Sequence, residues 1–331
     1  MQITVGSESR LTVAVKTRES SGDIKAEAST QLYIPYIQQK TQHTIRSSSP
    51  KPTKPRIYLH SLPNTPQTMS AQNSLAQSLK ALHTPHSPLI LTNVWDAITA
   101  SAIASLPSTT ALATASYAIA AAAGLSDDDL TLEANLRAVS AIAKVAKQHN
   151  LPLTVDMQDG FGAQLEEGVR SVIELGAVGM NLEDFGREKG GLYTVEEACD
   201  RIRRAMSVAH ELNVPDFVIN ARTDALFAGS GLDDAIARGK AYLAAGASNI
   251  FIWGGPSRQG WGREDVERAT RELEGRLNVI LVRMGPGGLG VGELREIGVS
   301  RISVGPQMML RMVEVVKRDA EGILEGRGVQ G

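Results

Sequence analysis

TVDMQDGFG, residues 154–162, starts as an apolar run and ends in acid and glycine. The run LPLTV stops at Asp156, and Gln158, Asp159, Gly160 and Gly162 follow directly. A short run rich in β-formers and bounded by glycine reads as a buried strand. A carboxylate at the end of such a strand is unfavourable unless something pairs with it. The question is what Asp156 faces, and its neighbours along the chain bear on the answer.

Outward from that strand the same pattern repeats. Apolar runs fall at 89–94 (LILTNV), 109–116 (TTALATAS), 151–157 (LPLTVDM) and 177–184 (AVGMNLED). Four more fall at 216–224 (DFVINARTD), 249–255 (NIFIWGG), 278–285 (NVILVRMG) and 301–306 (RISVGP). Helical segments such as LTLEANLRAVSAIAKVAKQ and TVEEACDRIRRAMSVAHEL lie between most of them. Strands alternating with helices imply parallel pairing through crossovers, and continuous apolar runs imply burial on both faces. The fold class is therefore α/β. The count of eight favours a closed (β/α)8 TIM barrel over a doubly wound open sheet.

Residues 1–68 differ in kind, being rich in Ser, Thr, Gln, Lys and Pro, with brief alternation only near ITV and LTVAV. Such composition cannot offset ordering entropy, so a largely disordered extension is expected there, with the barrel over 69–331. Met69, just before the helical SAQNSLAQSLKALH, is an alternative start. The Arg and Ser content suits a mitochondrial transit peptide, but Glu8, Glu19 and Asp23 count against one. A net charge of -2 argues against nucleic-acid or anionic-membrane binding. No apolar run reaches the roughly 20 residues of a bilayer span. The single cysteine, Cys199, excludes internal disulfides, fits a cytoplasmic compartment and reads as a packed thiol on a helix. No HxH or HExxH spacing points to zinc.

Barrel chemistry sits at the C-terminal ends of strands. Those ends supply Asn93 and Asp96, Ser116 and Tyr117, Asp156 and Gln158, Glu183 and Asp184, and Asn220, Arg222 and Asp224. Polar caps for the following helices explain some of these, and Asp127–Asp129 suit a helix N-terminus in that role. Taken jointly, Asp156, Glu183 and Arg222 suit divalent-metal catalysis on a small anion. Mg²⁺ takes oxygen ligands and keeps several waters, so Asp156 would bind directly and Glu183 through water. Arg222 would clamp a carboxylate or phosphoryl group. GPGGLG (285–290) matches a dinucleotide fingerprint, but it follows the seventh strand and lacks the later acid. It reads as a tight turn or a backbone anion contact. The PSRQGWGRED loop (256–265) reads as solvated surface.

The succession VDMQDGFG, GAVGMNLED, VINARTDAL, YLAAGASNIFI and LREIGVSRISVGP resembles the phosphoenolpyruvate mutase/isocitrate lyase superfamily, over about residues 69–325. The resemblance implies a (β/α)8 barrel whose last helix is exchanged between subunits of a homodimer or homotetramer. It implies Mg²⁺, with Mn²⁺ as the alternative ion, and a small-molecule oxo-acid or enolpyruvyl substrate passing through an enolate-like intermediate. By the same resemblance Asp156 is the direct metal ligand, and Glu183 and Asp127 hold metal-bound water. Arg222 grips the substrate, while Ser116 and Tyr117 offer donors to its carboxylate. Asn220 lies in the same motif as Arg222 and is a further substrate-binding candidate.

Two departures stand out. The position two residues after Asp156, usually a second acid, is Gln158, which can hydrogen-bond a metal-bound water but removes a negative charge. The loop after the fourth strand reads FGREKGGLYT (185–194) and lacks the lyase branch's cysteine. Cleavage or decarboxylation of an oxaloacetate-like acid asks least of that loop, although Arg187 and Lys189 could reach an anion there. Phosphonomutase-type P–C chemistry and a catalytically inactive metabolite-binding barrel are the alternatives.

Overall fold

The computed structural model describes residues 2–5, 10–14, 29–33, 66–254, 262–281 and 288–328, with side chains from residue 71 onward. The chain divides into two compact units, Met1–His60 and Ser61–Gly331. In the first, Gln2–Val5, Arg10–Ala14 and Ser29–Tyr33 pair in that order as an antiparallel sheet. The first two coincide with the ITV and LTVAV stretches whose alternation the sequence shows. The disorder expected of the other residues up to 65 lies outside the described residues, as do the 255–261 and 282–287 parts of the two Gly-bearing loops.

The second unit holds eight parallel strands. They are β1 (Leu89–Leu91), β2 (Leu112–Ala113), β3 (Leu153–Asp156), β4 (Gly179–Glu183), β5 (Val218–Thr223), β6 (Asn249–Ile252), β7 (Leu277–Ile280) and β8 (Arg301–Ser303). Their order is β1-β8-β7-β6-β5-β4-β3-β2, and a parallel bridge between Val94 and Thr114 joins β1 to β2. Every ladder of this sheet is parallel and the sheet curls round to a nearly closed barrel, while Phe185–Gly186 and Gly191–Leu192 pair antiparallel as a small hairpin in the loop after β4. The strands are shorter than the apolar runs that announced them. The surplus residues, such as Thr92–Val94 and Trp253–Gly254, form the mouth.

The helices are α1 (Pro66–Ala81), α2 (Ala97–Ala104), α3 (Ser116–Ala122), α4 (Leu132–Gln148), α5 (Leu165–Glu174), α6 (Val195–Glu211), α7 (Leu232–Ala244), α8 (Arg263–Glu272), α9 (Val291–Ile297) and α10 (Gln307–Leu324). Met69 lies inside α1. Helix α4 is capped by Thr131, whose side chain accepts from the Ala134 backbone N–H. Asp127–Asp129 therefore do not cap it, which frees Asp127 for the mouth. Cys199 is buried in α6 as a packed thiol.

Inside the barrel runs a ladder of amides. Asn220 donates to Asn181 and accepts from Asn249, both at 2.9 Å, and Asn249 accepts from Ser300 at 2.7 Å. The Arg301 guanidinium lies beside this ladder, 1% exposed, donating to Asn181 at 3.2 Å and reaching His83 Nε2 at 3.4 Å. His83 Nδ1 donates to the Leu79 carbonyl, so Nε2 is the acceptor. Burial, together with the Arg301 charge, holds His83 down at a pKa of about 3. Helix α10 buries little beyond Met309 and Gly322, and Met308, Leu310, Met312, Val315 and Val316 stay exposed.

Candidate active site

The turn after β3 takes its shape from unusual backbone. Gln158 has φ +50° and Gly160 φ +79°, and a Cβ at Gly160 would collide with Leu165. A left-handed glutamine is disfavoured by about 1 kcal/mol, and here the strain turns its amide toward the β2 loop. Gln158 Nε2 donates to the carbonyl and to Oδ1 of Asp127, each at 2.9 Å. Gln158 Oε1 is buried with no partner. Asp156 is fixed by its own backbone N–H, which donates to Thr114 Oγ1 at 2.8 Å. Its Oδ2 accepts from the Ser116 N–H at 2.9 Å. The backbone of Ser116 thus faces Asp156.

Across the mouth, β4 and β5 are in register, with Glu183 opposite Arg222. Arg222 Nη1 meets Glu183 Oε2 at 2.9 Å, while Nε and Nη2 form a fork on Asp224 at 2.6 and 2.9 Å. Its guanidinium also lies 4.2 Å from the Trp253 ring centre. These contacts occupy three of the five guanidinium N–H groups and fix its plane, leaving two for a ligand. Burial pushes the Glu183 carboxyl up to about 8; Arg222 opposes the shift, and the nearby Asp224 and Asp156 charges add to it. Burial raises Asp224 as well. Asp184 has a supporting task. It accepts from Thr223 Oγ1, the Asp224 N–H and Tyr242, at 2.8, 2.8 and 2.6 Å, and so holds the end of β5 in place.

The loop after β4 brings a second arginine. Arg187 donates to the Asp127 carbonyl at 2.9 Å, to Asp128 Oδ1 at 2.6 Å and to Asp127 Oδ2 at 3.3 Å. It stands 3.7 Å from Glu183 Oε1. Lys189 turns outward to Glu197 at 2.7 Å. A cavity of about 510 Å³ results, with Asp127, Glu183, Arg187, Arg222 and Asp224 on its polar side. Asn220 does not line it: it shares the inward face of β5 with Arg222 but lies two residues deeper, wholly buried in the amide ladder. Tyr117, on the first turn of α3, is 46% exposed and does not line it either. Asn93 is spent within the barrel, donating to the Thr114 carbonyl at 2.7 Å and accepting from Val304 and Gly305. Asp96 caps α2.

The donor set bears on whether a divalent ion fits. Among the described residues no three acidic, histidine or cysteine side chains stand close enough to form a cage. Mg²⁺ does not need one, because one or two carboxylates and several waters suffice. Asp127, Glu183 and Asp224 line the cavity and Asp156 lies near enough to act on Glu183, so that among the described residues four acids face the guanidinium groups of Arg187, Arg222 and, from below, Arg301. The excess negative charge, the raised Glu183 and the orphaned Gln158 oxygen are what a hydrated cation would satisfy. The residues fit the ion.

Sequence reasoning missed the aromatic side of the cavity. Phe185, Phe227 and Trp253 line it, and each follows a strand end directly or within four residues. In a chain with only 5 Phe and 3 Trp, aromatics so placed were the available signal.

A sequence profile of the phosphoenolpyruvate phosphomutase family matches residues 79–324. The chain is 39% identical over 141 residues to 2-methylisocitrate lyase of Escherichia coli, covering 40% of this chain and 46% of that one. It is 34% identical over 149 residues to oxaloacetate decarboxylase of Bradyrhizobium diazoefficiens, covering 42% and 50%. These matches span about half the length of the curated relatives. A crystal structure of a candidate phosphonomutase from Burkholderia cenocepacia J2315 superposes with a TM-score of 0.67 at 33% identity, covering 77% of this chain and 99% of that one. The barrel, the strand-end residues and this extent of similarity agree: the chain belongs to the phosphoenolpyruvate phosphomutase family, within the phosphoenolpyruvate mutase/isocitrate lyase superfamily.

Proposed function

We propose that this protein is a Mg²⁺-dependent enzyme that breaks a C–C bond in a small oxaloacetate-like 2-oxo acid. The observation that carries the reading is the convergence on one cavity of Glu183 and Arg222, from two neighbouring strand ends, and Asp127, from the loop between α3 and α4. Asp156 would hold the ion directly, with Glu183, Asp127 and Gln158 ordering its waters. Bound there, Mg²⁺ or Mn²⁺ would supply Lewis-acid stabilisation of negative charge on the oxo oxygen. Arg222, its plane fixed by Asp224, Glu183 and Trp253, would grip a carboxylate with its two remaining N–H groups. Ser116, whose backbone N–H meets Asp156, would contribute a donor beside the ion, whereas Tyr117, outside the cavity lining, is left without a role in this reading. In decarboxylation the bond to the departing carboxylate breaks, its electron pair stays on the adjacent carbon as an enolate, and CO2 leaves. A solvent proton then completes the product, so no acid from the 185–194 loop is needed.

The family profile and the Burkholderia relative favour a second reading, P–C bond chemistry on phosphonopyruvate or a carboxyphosphonoenolpyruvate. Gln158 is what would suit a third, a barrel that binds a metabolite without turning it over. We further propose a homodimer or homotetramer that exchanges α10, supported by the exposed apolar row of that helix and the groove of about 1090 Å³ beside it.

The test incubates the whole chain with Mg²⁺ or Mn²⁺ and oxaloacetate, phosphonopyruvate, substituted malates or phosphoenolpyruvate, following products by proton and phosphorus NMR. Metal-dependent loss of oxaloacetate that disappears in Asp156→Ala supports the lyase reading. Turnover of phosphonopyruvate alone moves the assignment to P–C chemistry, and no turnover of any acid leaves the binding barrel.

A further inference from the structure

The candidate site is two-faced. Besides the carboxylates, Phe185 and Phe227 line it, meeting edge to face with ring centres 5.8 Å apart, and Phe227 and Trp253 lie 5.2 Å apart. The three rings come from separate strand ends and face the same cavity as Arg222. Phe227 stays 47% exposed although it sits in a concave mouth next to other apolar surface. Its exposure adds nothing to the fold, since an open ring forfeits the burial that makes aromatic residues stabilising. Apolar surface gathered in a cleft beside a few placed charges is the usual composition of a ligand site.

A bare four-carbon diacid would use the arginine and the carboxylates and leave the aromatic wall unused. The cavity, at about 510 Å³, falls in the range of pockets that hold ligands well beyond that size. Arg222 connects the two faces, because its guanidinium is stacked 4.2 Å from Trp253 while its remaining donors are free for a carboxylate. An anion held there sits beside the rings, so the substituent on its neighbouring carbon is within their reach.

We infer that the substrate carries a bulky apolar substituent, aryl or branched alkyl, on the carbon next to the carboxylate that Arg222 grips, and that Phe227 and Trp253 select for it. This rests on the proposed reading of Arg222 as the anion clamp. It makes Phe227 and Trp253 specificity-determining residues and narrows the substrate from oxo acids in general to 3-substituted malate or oxaloacetate types.

The experiment is calorimetric titration of the whole chain in Mg²⁺ with oxalate, malate, 3-methylmalate, 3-isopropylmalate and 3-phenylmalate. Oxalate reports the clamp and metal without the wall. Affinity is expected to rise along the malate series, with phenylmalate about tenfold tighter than malate. In Phe227→Ala the phenylmalate-to-malate ratio should fall toward one, while Trp253→Phe, which keeps a ring, should retain most of it. Oxalate binding with a flat malate series overturns this inference and leaves the clamp standing. No binding of oxalate or any malate overturns both.

Discussion

Arg187 Nη2 lies 3.3 Å from Asp127 Oδ2 and 3.7 Å from Glu183 Oε1, so a guanidinium stands between two carboxylates proposed to order the waters of a metal ion. The protein supplies its own cation to that site. Arg187 also ties the 185–194 loop to the Asp127–Asp128 loop.

An internal cation competes with an added one. Replacing Arg187 with alanine should tighten Mg²⁺ binding by roughly tenfold, because a partly buried charge pair contributes at that scale. Titration calorimetry of the wild type and the variant measures it. Unchanged or weaker Mg²⁺ binding in the variant shows that the arginine and the ion do not contend for the same carboxylates.

Asp156 is the test of the ligand assignment. Its backbone is pinned by Thr114 and Asn135 independently of its carboxylate, so the β3 turn should survive Asp156→Ala. The Mg²⁺-induced rise in melting temperature should vanish with it. A full rise retained in the variant means that the ion sits elsewhere.

The barrel was legible in the sequence because parallel strands buried on both faces leave continuous apolar runs, and eight of them have few other arrangements. The placement of Glu183 and Arg222 at the mouth was legible because a charge ending such a run has no packing role. What could not be read was depth along the barrel axis. Asn220 and Arg222 are two residues apart on β5, yet the amide is consumed by Asn181 and Asn249 while the guanidinium reaches the mouth. Arg301 was hidden for a related reason, since it begins a strand and its hydrogen-bond partners in the interior are an amide and a histidine, with the Asp156 charge acting on it only from a distance. The aromatic wall depends on three loops meeting, and no one stretch of sequence contains it.

Gln158→Glu should act with opposite signs in the absence and presence of metal. The glutamine amide donates two hydrogen bonds to Asp127, which a carboxylate would repel, so the metal-free variant should lose about 1–3 kcal/mol. The added charge should strengthen Mg²⁺ binding, enlarging the metal-induced melting shift. A variant with neither effect would mean that the side chain points away from both groups.

Glu183 predicts how the metal-free protein responds to pH. Its folded pKa of about 8 is above the ordinary value of 4.5, so the folded state holds this proton more tightly than the unfolded chain. The resulting stability is fully present below about pH 4.5 and is lost as pH rises through 8. His83 works in the other direction: held down at about 3 from 6.5, it contributes stability present above pH 6.5 and lost as pH falls toward 3. Between pH 6.5 and 8.5 the Glu183 effect therefore stands apart from that of His83. Melting temperature of metal-free protein should fall across this window, and Glu183→Gln should flatten most of the slope. Saturating Mg²⁺ should flatten it as well, because a cation beside the carboxylate favours its charged form. A wild-type slope that rises, or one untouched by both Glu183→Gln and Mg²⁺, would show that the buried pair with Arg222 keeps Glu183 ionised throughout.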